Sequence, residues 1–273
     1  MNLVAATRSE TTKVFSTTAW WILAIVLVVY VGSTAAGLAF VFGASASGDL
    51  PASAGTPPIP ADGLSSVLYS IGGSVGYVFP LLIGTLMVTS EFRHQTLTPT
   101  FLATPKRGTV LWAKLLAGIL IGAMYGAIAV VSAAAPAAGL LAGLGLDTDL
   151  GSSDTWALFG RSLLALMLWT LIGIGVGTLV RNQVVAIVLV LAFTQFVEPL
   201  LRVAGSLVEW ISEVTRFLPG AASDALIGAS IYNMMGAGGG NSLEWWQGGL
   251  VLLAYALVLL LIGHIASWTR DVT

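Results

Sequence analysis

The sequence predicts an all-α integral membrane protein with six spans, and three observations predict it. Of 273 residues, 56% are hydrophobic and 9% charged, against roughly 25% charged in an ordinary soluble domain. Six stretches reach the roughly 20 mostly apolar residues a helix needs to cross hydrocarbon with its backbone polar groups satisfied internally. The basic residues also divide unevenly between the connections, as a polytopic chain requires.

The first span is Trp20 to Phe42. Arg8 and Lys13 precede it and Ala44-Ser45-Ala46 follows, which resembles a signal peptide. Its apolar run exceeds the roughly 7 to 15 residues of a signal core, so it is expected to be a retained span. Gly43 to Ser66 is rich in Pro, Gly, Ala and Ser and reads as irregular. Spans two to four are Val67 to Thr89, Leu111 to Pro136 and Ala157 to Val180. Span five, Val184 to Val203, is the weakest, because its charge-free core ends at Glu198 and Pro199 follows at once.

Beyond it, Val203, Leu207, Ile211, Val214 and Leu218 recur at helical spacing, with Glu209, Glu213 and Arg216 on the other face. That pattern predicts a helix lying on the outer membrane surface. Pro219-Gly220 and the Gly236 to Gly240 cluster then break any further span and leave a re-entrant connection. Gln247 to Ser267 is the sixth span, and residues 1–273 form a single transmembrane domain.

An even number of spans puts both termini on one side. With that side cytoplasmic, Arg8, Lys13, Arg93, Lys106, Arg107, Lys114, Arg181 and Arg270 lie inside, eight of the eleven basic residues. Only Arg161, Arg202 and Arg216 lie outward, which satisfies the positive-inside rule. Trp20, Trp21, Trp112 and Trp268 fall at inner boundaries and Trp156, Trp210, Trp245 and Trp246 near outer ones, where amphipathic rings prefer the headgroup layer.

Several functions are excluded or disfavoured. A net charge of −2 with scattered cations forms no stripe for nucleic acid. With no cysteine there is no disulfide, thiolate nucleophile or Cys-type metal site. The only lysines are Lys13, Lys106 and Lys114, and none follows glycine, so the chain has no P-loop for ATP. Gly72-Gly73-Ser74-Val75-Gly76 matches the nucleophile elbow of an intramembrane hydrolase, with His264 as its base. The motif belongs between strand and helix, whereas here it lies inside a span. Ser74 stands towards the outer end of its span and His264 towards the inner end of another, well over 10 Å apart in depth at about 1.5 Å per residue. No catalytic, cofactor-binding or metal residue is therefore expected.

The central thirds of the spans hold no ionisable group, which disfavours a self-contained ion-coupled transporter or channel. Glu198 and Arg202, four apart, are expected to pair at the membrane rim. Gly118, Gly122 and Gly126 on span three, Gly173 and Gly177 on span four, and Gly72 and Gly76 on span two read as packing seams. Among polar side chains within spans, Trp169 and Gln195 are candidates for a translocation path, with ordinary packing the plainer reading. The two halves share no sequence similarity, so an inverted repeat is not expected.

The longest inner connection reads Ser90-Glu91-Phe92-Arg93-His94-Gln95-Thr96-Leu97-Thr98-Pro99-Thr100-Phe101-Leu102-Ala103-Thr104-Pro105 and continues to Lys114. Thr98-Pro99 and Thr104-Pro105 are N-cap and first-turn pairs that bracket a short helix. Headgroup anchoring would explain its charges equally well. The stretch, however, resembles the inner loop of type 2 ATP-binding-cassette (ABC) exporter permeases. Arg216-Phe217-Leu218-Pro219-Gly220-Ala221-Ala222 is similar to a second family feature, and Arg8, Glu10 and Lys13 ahead of Trp20-Trp21 resemble the family's amphipathic N-terminal helix. Gln95 departs from the pattern, since many relatives carry glycine in that run, so a different turn is expected there. The Ala-, Gly- and Val-rich composition resembles that of high-GC bacteria, especially actinobacteria.

The resemblance implies that the inner loop forms a coupling helix seated in a groove of a separate ATPase subunit, with Glu91, Arg93, Thr98, Thr100, Phe101 and Leu102 as the contact. It implies ATP and Mg bound by that partner rather than by this chain, a second permease copy or related permease, and a bacterial plasma membrane location with its lipid. An apolar interior favours a lipophilic or amphipathic cargo.

Overall fold

The structure is a computed structural model that describes residues 2–48, 62–96, 107–180, 182–234 and 243–265. Among these, every regular element is helical. Six helical segments are long and apolar enough to cross a membrane, as expected of a multi-pass membrane protein.

Helix α1 (Leu3–Phe15) starts where Asn2 Oδ1 accepts the Ala5 amide at 2.8 Å. Its buried line is Ala6, Glu10 and Val14, one residue per turn, while Leu3, Val4 and Phe15 are exposed. The N-terminal helix is thus present, with Glu10 between Ala6 and Val14 on its buried line and a mixed exposed face that carries Arg8, Ser9 and Thr12 as well as Leu3 and Val4. The turn into α2 (Ala19–Ser47) is fixed by Trp20, whose indole donates to the Phe15 carbonyl at 3.1 Å and meets the Phe15 ring edge-on.

The second span is two helices, α3 (Leu64–Ser74) and α4 (Val78–Arg93), interrupted over 75–77. The expected span from Val67 to Thr89 lies within one crossing, Leu64–Arg93, that carries this interruption. The Gly72-Gly73-Ser74-Val75-Gly76 run supplies the reason, since each glycine costs a helix about 1 kcal/mol relative to alanine. Helix α5 (Arg107–Gly143) runs through Pro136 instead of ending there. A single lost backbone hydrogen bond is tolerated in an apolar setting where neighbouring helices hold the rest of the turn. Its 37 residues span about 55 Å at 1.5 Å each, well beyond the roughly 30 Å of hydrocarbon.

Helix α6 (Ser153–Leu179) begins at Ser152, whose hydroxyl accepts the Asp154 amide at 3.1 Å. Span five is α7 (Gln183–Ala192), a π-helical turn over Phe193–Val197, and α8 (Glu198–Leu207). It does not stop at Glu198 and Pro199. Pro199 has no N–H to give the Gln195 carbonyl, and the wider π turn placed directly before it lets the helix continue.

The outer helix expected over Val203 to Leu218 is not continuous. Val208 is extended (φ −135°, ψ 117°), and the chain doubles back into α9 (Glu209–Thr215), which packs on α8. Gly205 permits this contact, because a Cβ there would lie 2.6 Å from Thr215 Oγ1. Pro219 opens α10 (Pro219–Ile227), a buried helix that ends at Gly228 in the left-handed region (φ +90°). A short α11 (Ile231–Met234) follows, and α12 (Trp245–Gly263) starts at a Glu244–Gln247 capping box. The sixth span was expected to reach Ser267, but residues 266–273 lie outside the described residues.

Helix α6 is central, packed against α4, α5 and α12, and α10 inserts between α12, α6 and α3. The α4–α6 crossing is close enough for glycine alone. A Cβ on Gly173 would meet the Leu81 carbonyl, and one on Gly84 the Thr170 carbonyl. Gly118, Gly122 and Gly126 all face α6, so the glycine rows are packing seams. Around this core, α2, α7 and α12 turn Ile25, Val29, Val188, Leu189, Leu257 and Leu261 outwards, a surface suited to lipid rather than water.

Candidate functional site

Among the described residues, buried charge is confined to two clusters, at opposite ends of the α4–α6 core. The first ties α1 to both stems of the 94–107 connection, the end of α4 and the start of α5. Glu10 and Lys13 come from α1, Glu91 from the last turn of α4 and Lys114 from the second turn of α5. Lys13 Nζ lies 2.6 Å from Glu10 Oε1 and 2.8 Å from Glu91 Oε1. Lys114 Nζ lies 2.5 Å from Glu10 Oε2 and 3.1 Å from Glu91 Oε2, and donates to the Met87 carbonyl at 3.1 Å. Two cations thus alternate with two anions in a closed ring. The Lys114–Glu91 contact is an ion pair without hydrogen-bond geometry, which leaves Glu91 Oε2 without a hydrogen bond.

Burial alone would raise the Glu10 carboxyl, but the Lys114 and Lys13 ammonium groups outweigh it and hold the carboxyl below its usual range. Lys13 is the converse case. Burial opposes its charge, yet the Glu91 and Glu10 carboxylates hold the ammonium above its usual value. Glu10, Lys13 and Glu91, with Met87, His94 and Gln183, line a cavity of about 200 Å³.

Of the coupling-loop candidates, Glu91 is therefore buried and bound within this chain. Arg93 is exposed and makes a long 3.4 Å contact to Gln183 Oε1. Thr98, Thr100, Phe101 and Leu102, with the short helix expected around them, lie outside the described residues. Gln95 has φ +54°, a left-handed turn directly before that segment.

The second cluster lies on α8 and α10. Glu198 Oε1 accepts Arg202 Nε at 3.2 Å, Arg202 Nη2 at 2.9 Å and the Ala221 amide at 3.1 Å. Asp224 Oδ2 accepts Arg202 Nη1 at 2.6 Å and the Ser230 hydroxyl at 2.8 Å, and its Oδ1 accepts the Ser74 hydroxyl at 2.6 Å. The Tyr232 ring covers the guanidinium at 4.6 Å. The expected Glu198–Arg202 pair forms, but it is buried rather than at a wet rim, and Asp224 joins it.

Trp169 is also buried here. Its indole donates to Ser223 Oγ at 3.0 Å and its ring stacks on Tyr77 at 4.3 Å. Gln195 sits on the exposed side of the π turn, so the two path candidates do not converge. Ser74 is bound by an aspartate. Both histidines stand at the other end, His94 capping α4 and His264 capping α12 beside the α6 terminus.

Sequence reasoning missed the ring and Asp224. The available signal for the ring was Lys114, the sole charge inside the predicted third span, at a depth like that of Glu91 on its neighbour. For Asp224 there was none, because it lies in a connection and meets Arg202 only through the fold.

No protein-family model matches this chain, and no curated protein matches it.

Proposed function

We propose that the chain is the transmembrane permease subunit of an ABC exporter in a bacterial plasma membrane. Both termini and the 94–107 connection face the cytoplasm, and a separate ATPase subunit binds ATP and Mg there. The observation that carries this reading is the Glu10–Lys13–Glu91–Lys114 ring. It joins α1 to the helix entering the connection and the helix leaving it, so a displacement of the loop would move α1, α4 and α5 together. That is the mechanical requirement for converting closure of an ATPase pair into a change of access.

In this reading Thr98, Thr100, Phe101, Leu102 and the exposed Arg93 meet the ATPase, while Glu91 holds the loop to α1. Two permease chains enclose the path, and the cargo is lipophilic or amphipathic, released outwards or into the outer leaflet. The test is co-purification of the tagged protein from its native membrane in mild detergent. An ATPase subunit should accompany the wild type and be lost with Phe101→Ala plus Arg93→Ala. Absence of any ATPase from the wild type sinks the assignment.

A second reading, a self-contained membrane transporter, is favoured by one observation: Glu198, Arg202 and Asp224 are ionisable groups inside the helix packing. Cargo movement in vesicles containing this chain alone, without ATPase, would select it.

A further inference from the structure

The second cluster does not balance. Glu198 and Asp224 carry two negative charges against the single positive charge of Arg202, and all three are buried, Glu198 being only 1% exposed. Among the described residues, the elements packed around it supply no compensating cation. Tyr77, from the break between α3 and α4, Tyr232 on α11 and Tyr255 on α12 face the cluster and bring hydroxyls, not cations. At the C-terminal end of α9, Arg216 is paired with Glu213 at 2.8 Å. On α6, Arg161 reaches instead to Gly228 and the Trp245 ring.

A lone excess charge in an apolar interior is costly enough that the group neutralises instead. The hydrogen bonds say where. Asp224 accepts on both oxygens, as an ionised carboxylate does. Glu198 accepts three N–H donors on Oε1 and none on Oε2, although Oε2 is also buried. All three donors therefore converge on Oε1 and none points at Oε2, so Oε2 is the oxygen on which a neutralising proton can sit without displacing a hydrogen bond.

We propose that Glu198 is a proton-binding site, its Oε2 carrying a proton that neutralises the Glu198–Arg202–Asp224 cluster. The α8–α10 segment is held on the bundle by that cluster, so water reaching Oε2 when the segment opens takes the proton away. Opening is thereby linked to proton release and favoured as pH rises. The inference needs no ATPase and stands apart from the exporter reading.

The test is infrared spectroscopy of the protein in lipid nanodiscs at neutral pH. The wild type should show a protonated-carboxyl stretch that shifts in D₂O, moves when the glutamates carry ¹³C and stays when the aspartates do. Glu198→Gln should lose the band and keep the fold, because the amide oxygen accepts the same three donors. Its unfolding midpoint should also be flat with pH where that of the wild type falls as pH rises. Absence of the band from the wild type, its movement with labelled aspartate, its survival in Glu198→Gln, or failure of Glu198→Gln to fold would each overturn the proposal.

Discussion

The two charged clusters of this bundle both set carboxylates against basic side chains and balance differently. In the ring at the α1 end, two lysines meet two glutamates and each carboxylate touches both ammonium groups. In the α8–α10 cluster, one arginine is shared by two carboxylates. The ring is closed and partly wet, since the Lys13 side chain is 39% exposed. The other cluster is buried and has its cation at the centre. A balanced ring can lose a member and redistribute its contacts, whereas a hub cannot lose its hub. The ring therefore suits a mechanical joint, and the hub a site whose charge state controls whether a segment stays closed.

Arg202 should accordingly be the most sensitive residue of the two clusters. Arg202→Met leaves Glu198 and Asp224 buried without a cation, and removing one partner of a buried ion pair costs about 3–5 kcal/mol. Thermal unfolding in nanodiscs or the yield of folded protein reads this. A loss no greater than that of a surface substitution would show that the cluster opens to water. Lys114→Met should cost less, about 2 kcal/mol, because Lys13 still reaches both carboxylates. Lys13→Met, at the wet corner, should cost about 1 kcal/mol or less. If Lys13→Met proved worse than Lys114→Met, the ring would not redistribute as argued.

The pH dependence sharpens the contrast. The Glu10 carboxyl is held below its usual range, so its contribution is present above the ordinary carboxylate range and lost as pH falls through the lowered value. The Lys13 ammonium is held above its usual value, so its contribution is full below the ordinary lysine range and lost as pH rises through the raised value. Docking of α1 should therefore be constant through neutrality and fail first in acid. The α8–α10 segment, by the proton assigned to Glu198, should loosen in the opposite direction. The chain contains no cysteine, so one introduced at Val4 and another, in a separate protein, at Leu207 give two clean labelling positions. Mobility of the two labels should respond to pH with opposite sign.

How much of this was legible depends on whether the information was local. The six spans could be read because each is a run of apolar residues, and length alone distinguishes a span from a core helix. Their interruptions were less legible. Pro199 looks like a stop and Pro136 like an end, yet a π turn absorbs the first and the packing of a long helix the second. The reverse occurs at Val208, where an unbroken apolar period hides a hairpin that Gly205 allows. The clusters were the least legible, because Lys114 and Glu10 are 104 positions apart and Arg202 and Asp224 are on different elements. Only the fold sets those pairings.

The smallest effect concerns the turn that leaves α4. Gln95 sits at φ +54°, a region that costs a residue with a Cβ about 1 kcal/mol. Glycine would remove that cost while giving the unfolded chain more freedom, a loss of about 0.4–1 kcal/mol in return. The two nearly cancel, so Gln95→Gly should shift the unfolding midpoint little, whereas Gln95→Val, β-branched and strained at positive φ, should lower it. The ring stands a few residues before this turn and does not depend on it. Label mobility at Val4 should therefore stay the same in both variants. If Gln95→Val also freed α1, the turn and the ring would be one structural unit, and the joint would extend from α1 into the loop itself.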